Sequence, residues 1–360
     1  LGSFVVGFIL MDHLSLFSIS LLLLLGGVAF AAVVLITNGL LTGRLKLGAA
    51  LAIGAASLVV VGSRPVMGAI YDRLLFKNQY PNVRFQQVVE GRSGTIGVTP
   101  NGAVFGGGVY DGRFNVDLMH DVNSVIRPYA LSALHPAPRR VLMIGLGSGS
   151  WAQVVANQPQ LEEMTVVEIN PGYLKLIPQF PSVESLLRNS KVSLIIDDGR
   201  RWLLRNPGRQ FDAIVMNTTF HWRNHASTLL SVDFLRLARR HLNSGGVLFY
   251  NATGSEDVIA TGLAVYPYTF RFLSCLAVSD SPIVFDRARW KAVLLSYVID
   301  GKHVIDSNDP KQMARLDEIL NIREDPTGRQ SFSIENDDQL RRRLQGRLII
   351  TDDNMGVEWR

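Results

Sequence analysis

The sequence predicts an α/β protein: a doubly wound, mostly parallel sheet preceded by a small antiparallel β domain and by N-terminal transmembrane helices. Three observations carry that reading. Residues 14–36 (LSLFSISLLLLLGGVAFAAVVLI) hold no charge over 23 residues. Residues 84–110 alternate short strand-like runs with glycine-rich turn signals. From Arg139 onward, apolar strand-like runs alternate with helical stretches across short connections, the pattern of a sheet covered by crossover helices.

At a rise of about 1.5 Å per residue, a helix over 14–36 exceeds a hydrocarbon core of about 30 Å. A soluble core helix would carry a polar face over that length. A signal peptide is disfavoured because the run is long and is followed by a second, 47–62 (LGAALAIGAASLVVVG), whose small residues suit close helix packing. Residues 1–11 are also apolar and the chain opens on Leu1 rather than Met, so these runs read as the last spans of a longer membrane region. Arg44 and Lys46 lie between the runs, whereas Arg64, Arg73, Lys77 and Arg84 follow the second. That asymmetry expects an inner-membrane protein with its catalytic domain facing the cytoplasm. The expected divisions are 1–66 (transmembrane), 67–118 (small β domain) and 119–360 (doubly wound domain).

The composition narrows the partners. Of 360 residues 47% are hydrophobic, and the net charge is +5. Arg and Lys are scattered apart from Arg341, Arg342 and Arg343, which points to a lipid bilayer and a solvated surface rather than to nucleic acid. A single cysteine, Cys275, excludes an internal disulfide and a cysteine-rich metal site. No metal is implied, because the histidines lack partners at ligand spacing. A homo-oligomer is compatible with the chain.

Strands are expected at 140–144, 164–169, 192–196, 213–216 and 246–250, with an edge strand at 290–299. Helices are expected around 151–156, 171–176, 200–205 and 232–242, helical character over 119–134, and a solvated helix at 335–347. The first strand runs into VLMIGLGSGS (141–150), a Gly-x-Gly-x-Gly turn at Gly145, Gly147 and Gly149. Such a turn lets the backbone approach a nucleoside or phosphate closely. Glu168 closes the next strand about 20 residues on, where an acid accepts from ribose hydroxyls. The third strand ends in Asp197, Asp198 and Gly199. A dinucleotide site would place its third glycine one residue later and keep a helix start for pyrophosphate. Acidic tips without a phosphate cradle suit an S-adenosyl sulfonium compound.

HPAPRRVLMIGLGSGS, VVEIN, DDGRRWL and LNSGGVLF give the chain a resemblance to the spermidine synthase-like aminopropyltransferases, in particular their membrane-fused bacterial relatives. It runs from about 85 to 254, with a weaker echo at 350–359 (ITDDNMGVEW). The resemblance implies a Rossmann-like, S-adenosyl-dependent transferase domain behind a small β domain. It implies that Glu168 holds the ribose, that Asp198 and Gly199 lie at the adenine, and that Gly145, Gly147, Ser148 and Gly149 hold the sulfonium side chain. The co-substrate would be decarboxylated S-adenosylmethionine or S-adenosylmethionine. Residues 119–121 (MHD) occupy a segment that contacts substrate in soluble members, which makes His120 and Asp121 substrate-side candidates.

Two departures from that family matter. Soluble members carry Asp-Ser-Ser-Asp-Pro or a close variant after the fourth strand; this chain has Asn217, Thr218, Thr219, Phe220 and His221. An attacking amine must lose a proton and be aimed, and Asn217 can only orient it. His221 or His225 would then supply the base, and Trp222 a cation-π face. Asp111, Asp117, Asp121 or Glu256 could meet a cation. Soluble members also carry an acid inside the glycine loop, where this chain has Ser148. Without it, an intact donor carboxylate is tolerated. The leading expectation is aminopropyl transfer to an amine. The alternatives are methyl or aminocarboxypropyl transfer to an amphiphilic acceptor, and a non-catalytic nucleoside sensor.

Overall fold

The computed structural model describes residues 2–37, 67–217, 227–252, 254–330 and 332–354, with isolated positions between 48 and 62. The chain divides into two compact units, Leu1–Asn101 with Phe105–Gly108 and Gly102–Val104 with Val109–Arg360.

The first unit contains the helix Leu16–Thr37. Among the described residues it is the one helix long and apolar enough to cross a membrane by length and composition, and the window Leu16–Val34 is only 6% buried. Leu23, Leu25 and Phe30 stand exposed on it, a surface that water disfavours. The run at 47–62 lies largely outside the described residues. Four short strands make a small sheet: β1 (Gln87–Val89), β2 (Ile96–Val98), β3 (Ala103–Gly106) and β4 (Val109–Arg113). β1 and β2 pair antiparallel with Val88 opposite Gly97. Phe85 packs 4.9 Å from Phe76 and 5.8 Å from Phe105, ring centre to ring centre.

The second unit is built on an eight-stranded sheet. Its parallel part is β5 (Arg140–Ile144), β6 (Glu163–Glu168), β7 (Val192–Ile196), β8 (Phe211–Met216) and β9 (Leu242–Asn251). Parallel pairing joins them in the order β7-β6-β5-β8-β9. β5 and β8 are apolar almost throughout because both sheet faces are covered: Val141, Leu142, Met143, Ala213, Ile214 and Val215 are all 0% exposed. The helices Ser150–Ala156, Gly172–Leu176, Gly199–Arg205 and Val232–Arg240 follow β5, β6, β7 and β8. The first strand in the chain therefore lies centrally, and the winding reverses between β5 and β8. Open α/β sheets bind ligands beyond the carboxyl ends of their strands at such a reversal.

Beyond β9 the sheet continues antiparallel through β11 (Cys275–Ser279), β10 (Tyr268–Phe272) and, after the hairpin β12 (Val298–Ile299) and β13 (Lys302–His303), β14 (Ile334–Asn336). Two expectations are corrected here. Residues 290–299 do not form an edge strand, because Arg287–Ser296 is a helix whose start is capped by Asp286 accepting from the Arg289 N–H at 2.9 Å. Trp290, Val293 and Leu294 share its buried face, so the apolar run has helical spacing. Residues 335–347 are not a solvated helix throughout. Glu335 is 0% exposed within β14 and paired with Arg271, and the helix Asp337–Arg343 buries Leu340. Over 119–134 the helical character resolves into two turns, Ile126–Tyr129 and Leu131–Leu134.

Candidate active site

The Gly145 N–H donates to the Val167 carbonyl at 2.9 Å, so the glycine loop leaves β5 still joined to β6. Gly147 then turns at φ +52°, and a Cβ there would stand 3.2 Å from the Asp111 carbonyl oxygen. Any side chain would be strained in that conformation and crowded by β4. Ser148 is buried, with its Oγ 3.2 Å from Ser150 Oγ. The Ser150 hydroxyl donates to the Arg113 carbonyl at 2.6 Å, which ties the loop to β4.

Glu168 closes β6 beside this loop. Its Oε2 accepts from the Leu146 N–H at 2.6 Å and its Oε1 from the Asn170 N–H at 2.7 Å. Burial pushes its pKa above the usual carboxylate range, the Asp111 charge adds to the shift, and the N–H groups of Leu146, Asn170 and Gly147 oppose it. A carboxylate offers about four acceptor sites, more than these N–H groups fill. Tyr173, in the helix after β6, donates its hydroxyl to Asp111.

The β7 tip adjoins the same place. The Asp197 N–H donates to the Glu168 carbonyl at 3.1 Å. Asp198 caps the next helix, accepting from the Arg201 N–H at 2.7 Å through Oδ1. Gly199 is pressed against β5: a Cβ there would fall 2.5 Å from Ile144 Cγ2. Gly147, Glu168 and Asp198 thus stand at three neighbouring strand ends.

The β8 tip is less fully described. Asn217 Oδ1 accepts from Asn251 Nδ2, at the end of β9, at 3.2 Å. His221, Trp222 and His225 lie outside the described residues. His120 is exposed and paired through Nδ1 with Asp117 at 2.8 Å. Asp121 accepts from the N–H groups of Asn123, Val125 and Ile126 at 3.1, 2.8 and 3.1 Å. Glu256 is paired with Arg343 and Arg347. Of the four acids considered as receivers of a cation, Asp111 adjoins the glycine loop. Sequence reasoning did not single out Asn170, Tyr173 or Asn251; the first two stand in the NPGY run that begins two residues after Glu168. Among the described residues, no group of three or more His, Cys, Asp or Glu is placed to hold a metal.

A glycine loop after the first strand of a parallel sheet, an acid closing the second and a helix-capping acid after the third define a Rossmann-like domain. Residues 121–259 match the family described as the spermine/spermidine synthase domain. A polyamine aminopropyltransferase from Streptococcus pneumoniae serotype 4 is 31% identical over 119 residues, 33% of this chain and 41% of that protein. Polyamine aminopropyltransferase 1 of Pseudomonas aeruginosa is 34% identical over 116 residues, 32% of this chain and 40% of its own length. The chain thus spans about two fifths of these curated relatives. The solved spermidine synthase of Thermotoga maritima is similar at a TM-score of 0.46 and 15% identity, covering 65% of this chain and 85% of that one.

Proposed function

We propose that the chain is a membrane-anchored aminopropyltransferase that moves an aminopropyl group from decarboxylated S-adenosylmethionine to an amine. The carrying observation is the junction of the glycine loop with Glu168, the 2.6 Å bond from the Leu146 N–H to its carboxylate. It supports reading Glu168 as an acceptor for ribose hydroxyls, beside a loop that admits close backbone approach. Asp198 adds an acid on the adenine side, and Asp111 a charge near the sulfonium side chain.

In the reaction an amine lone pair attacks the methylene carbon beside sulfur. The C–N bond forms as the C–S bond breaks, the bonding pair stays on sulfur in methylthioadenosine, and the new ammonium gives up a proton. A base near neutrality suits that last role, which the sequence assigns to His221 or His225. Asn217 orients the amine through a carbonyl that it shares with Asn251. Trp222, His120 and Asp121 are assigned to the acceptor side. The helix Leu16–Thr37 supports anchoring at the inner membrane, and the basic residues after 62 support a cytoplasmic active site. An acceptor near the bilayer would be a small or amphiphilic amine.

Ser148 favours a second reading. It is uncharged and buried within the loop, so it does not repel the carboxylate of intact S-adenosylmethionine. That donor would support methyl or aminocarboxypropyl transfer. The deciding experiment incubates the purified full chain with each donor and a panel of diamines and long-chain amines. Release of methylthioadenosine from the decarboxylated donor supports the proposal. Turnover of the intact donor alone overturns it in favour of the second reading, and no turnover of either donor leaves a nucleoside sensor.

A further inference from the structure

The last described residues return, from the far end of the chain, to the start of the helix that Asp198 caps. The Ile350 N–H donates to Thr261 Oγ1 at 2.9 Å, and its carbonyl accepts from the Val232 N–H at 2.8 Å. Two residues on, Asp352 takes both arms of the Arg200 guanidinium, Nη1 on Oδ1 at 2.8 Å and Nη2 on Oδ2. The same carboxylate accepts from Ser231 Oγ at 2.6 Å. Arg200 stands in the first turn of the helix capped by Asp198, and its Nη1 also donates to the Thr228 carbonyl at 3.2 Å. One guanidinium therefore joins the Asp198 helix, the chain at Thr228 and the C-terminal segment.

The pair is partly exposed, with 27% and 36% of the side chains accessible. Its value is then geometric more than energetic, since a forked guanidinium on a carboxylate fixes orientation. The nucleoside side does not depend on it. Glu168 is held by Leu146 and Asn170, and Asp198 by its own bond to Arg201.

We propose that Arg200 and Asp352 are positioning residues for the β8 side of the candidate site: Asp352 orients Arg200, and Arg200 fixes Thr228 relative to Asp198. The C-terminal segment is then a working part of the site. Displacement at carbon depends on alignment, so losing the pair costs rate and spares the grip on the nucleoside. Only the turnover arm of the test rests on the proposed activity.

Asp352→Asn, Arg200→Gln and Arg200→Lys are made in the full chain. In the first two, amide exchange over 227–231 is expected to accelerate by about tenfold or more, as local opening becomes easier. Methylthioadenosine affinity should stay within about twofold, kcat should fall by about tenfold or more, and donor KM should hold. Arg200→Lys keeps the charge and should rescue part of each effect, which separates positioning from a folding defect. Unchanged exchange in all three variants overturns the proposal, as does nucleoside affinity falling as far as kcat. If the unaltered chain turns over no donor, the activity fails while the exchange and affinity measurements still decide the positioning role.

Discussion

In the proposed role Glu168 would meet two opposing demands. Burial favours its neutral form, whereas binding ribose hydroxyls would need the carboxylate. A carboxyl whose folded pKa is raised gives stability that is complete below its unfolded value of about 4.3 and lost as pH rises through the folded value. Nucleoside binding runs the other way, so methylthioadenosine affinity should rise with pH through that same window, above the ordinary glutamate range. Calorimetry across pH 4 to 8 checks this, and a flat profile would remove Glu168 from the ribose. Glu168→Gln keeps the shape and should weaken binding by about 1–3 kcal/mol. Asp352 has the opposite sign: Arg200 holds its carboxyl below the usual range, so its contribution is present above the unfolded value and lost as pH falls through the lower one. Gly199→Ala places a methyl 2.5 Å from Ile144 Cγ2 and should destabilise the fold by about 1–3 kcal/mol, read from the urea midpoint. The sequence marked Gly147, Glu168 and Asp198 because each follows a recognisable strand. It could not mark Asn251, whose value comes from lying beside Asn217 across a sheet.

Elements were legible where one physical rule dominated. β5, β6, β8 and the second half of β9 are largely apolar runs because both faces are covered, and they were found, as was the apolar but more exposed β7. β4 was missed because an Asp-Gly turn signal sits inside it, with Gly112 at φ +120°. The helix Arg287–Ser296 was misread because WKAVLLSYVI is predominantly apolar, interrupted only by Lys291 and Ser296, and only the burial of Trp290, Val293 and Leu294 reveals its period. β10 and β11, adjacent in sequence, extend the sheet as a hairpin, and the short β14 joins it from far along the chain. The antiparallel edge rests on a buried ion pair, with Glu335 accepting from Arg271 and Arg343. Removing Arg271 leaves the buried Glu335 with Arg343 as its remaining ion partner, so Arg271→Met should cost up to about 3–5 kcal/mol in chemical denaturation. Replacing both Arg271 and Glu335 by apolar residues should cost less than Arg271→Met alone. Equal losses would mean that packing, not charge, sets the cost.

For the whole molecule, the expected anchor is a physical statement about the helix Leu16–Thr37. If it spans a bilayer, the chain should sediment with membranes, resist extraction by high salt or carbonate, and be released by detergent. Release by carbonate would make the helix a surface or packing element instead. The enzymatic reading depends on something narrower, a nucleoside held at the ends of β5, β6 and β7. Titrating methylthioadenosine into the detergent-solubilised chain tests it most directly. The account predicts saturable, one-to-one binding that Glu168→Ala weakens by about 1–3 kcal/mol. Absence of binding, or binding untouched by that substitution, would contradict it.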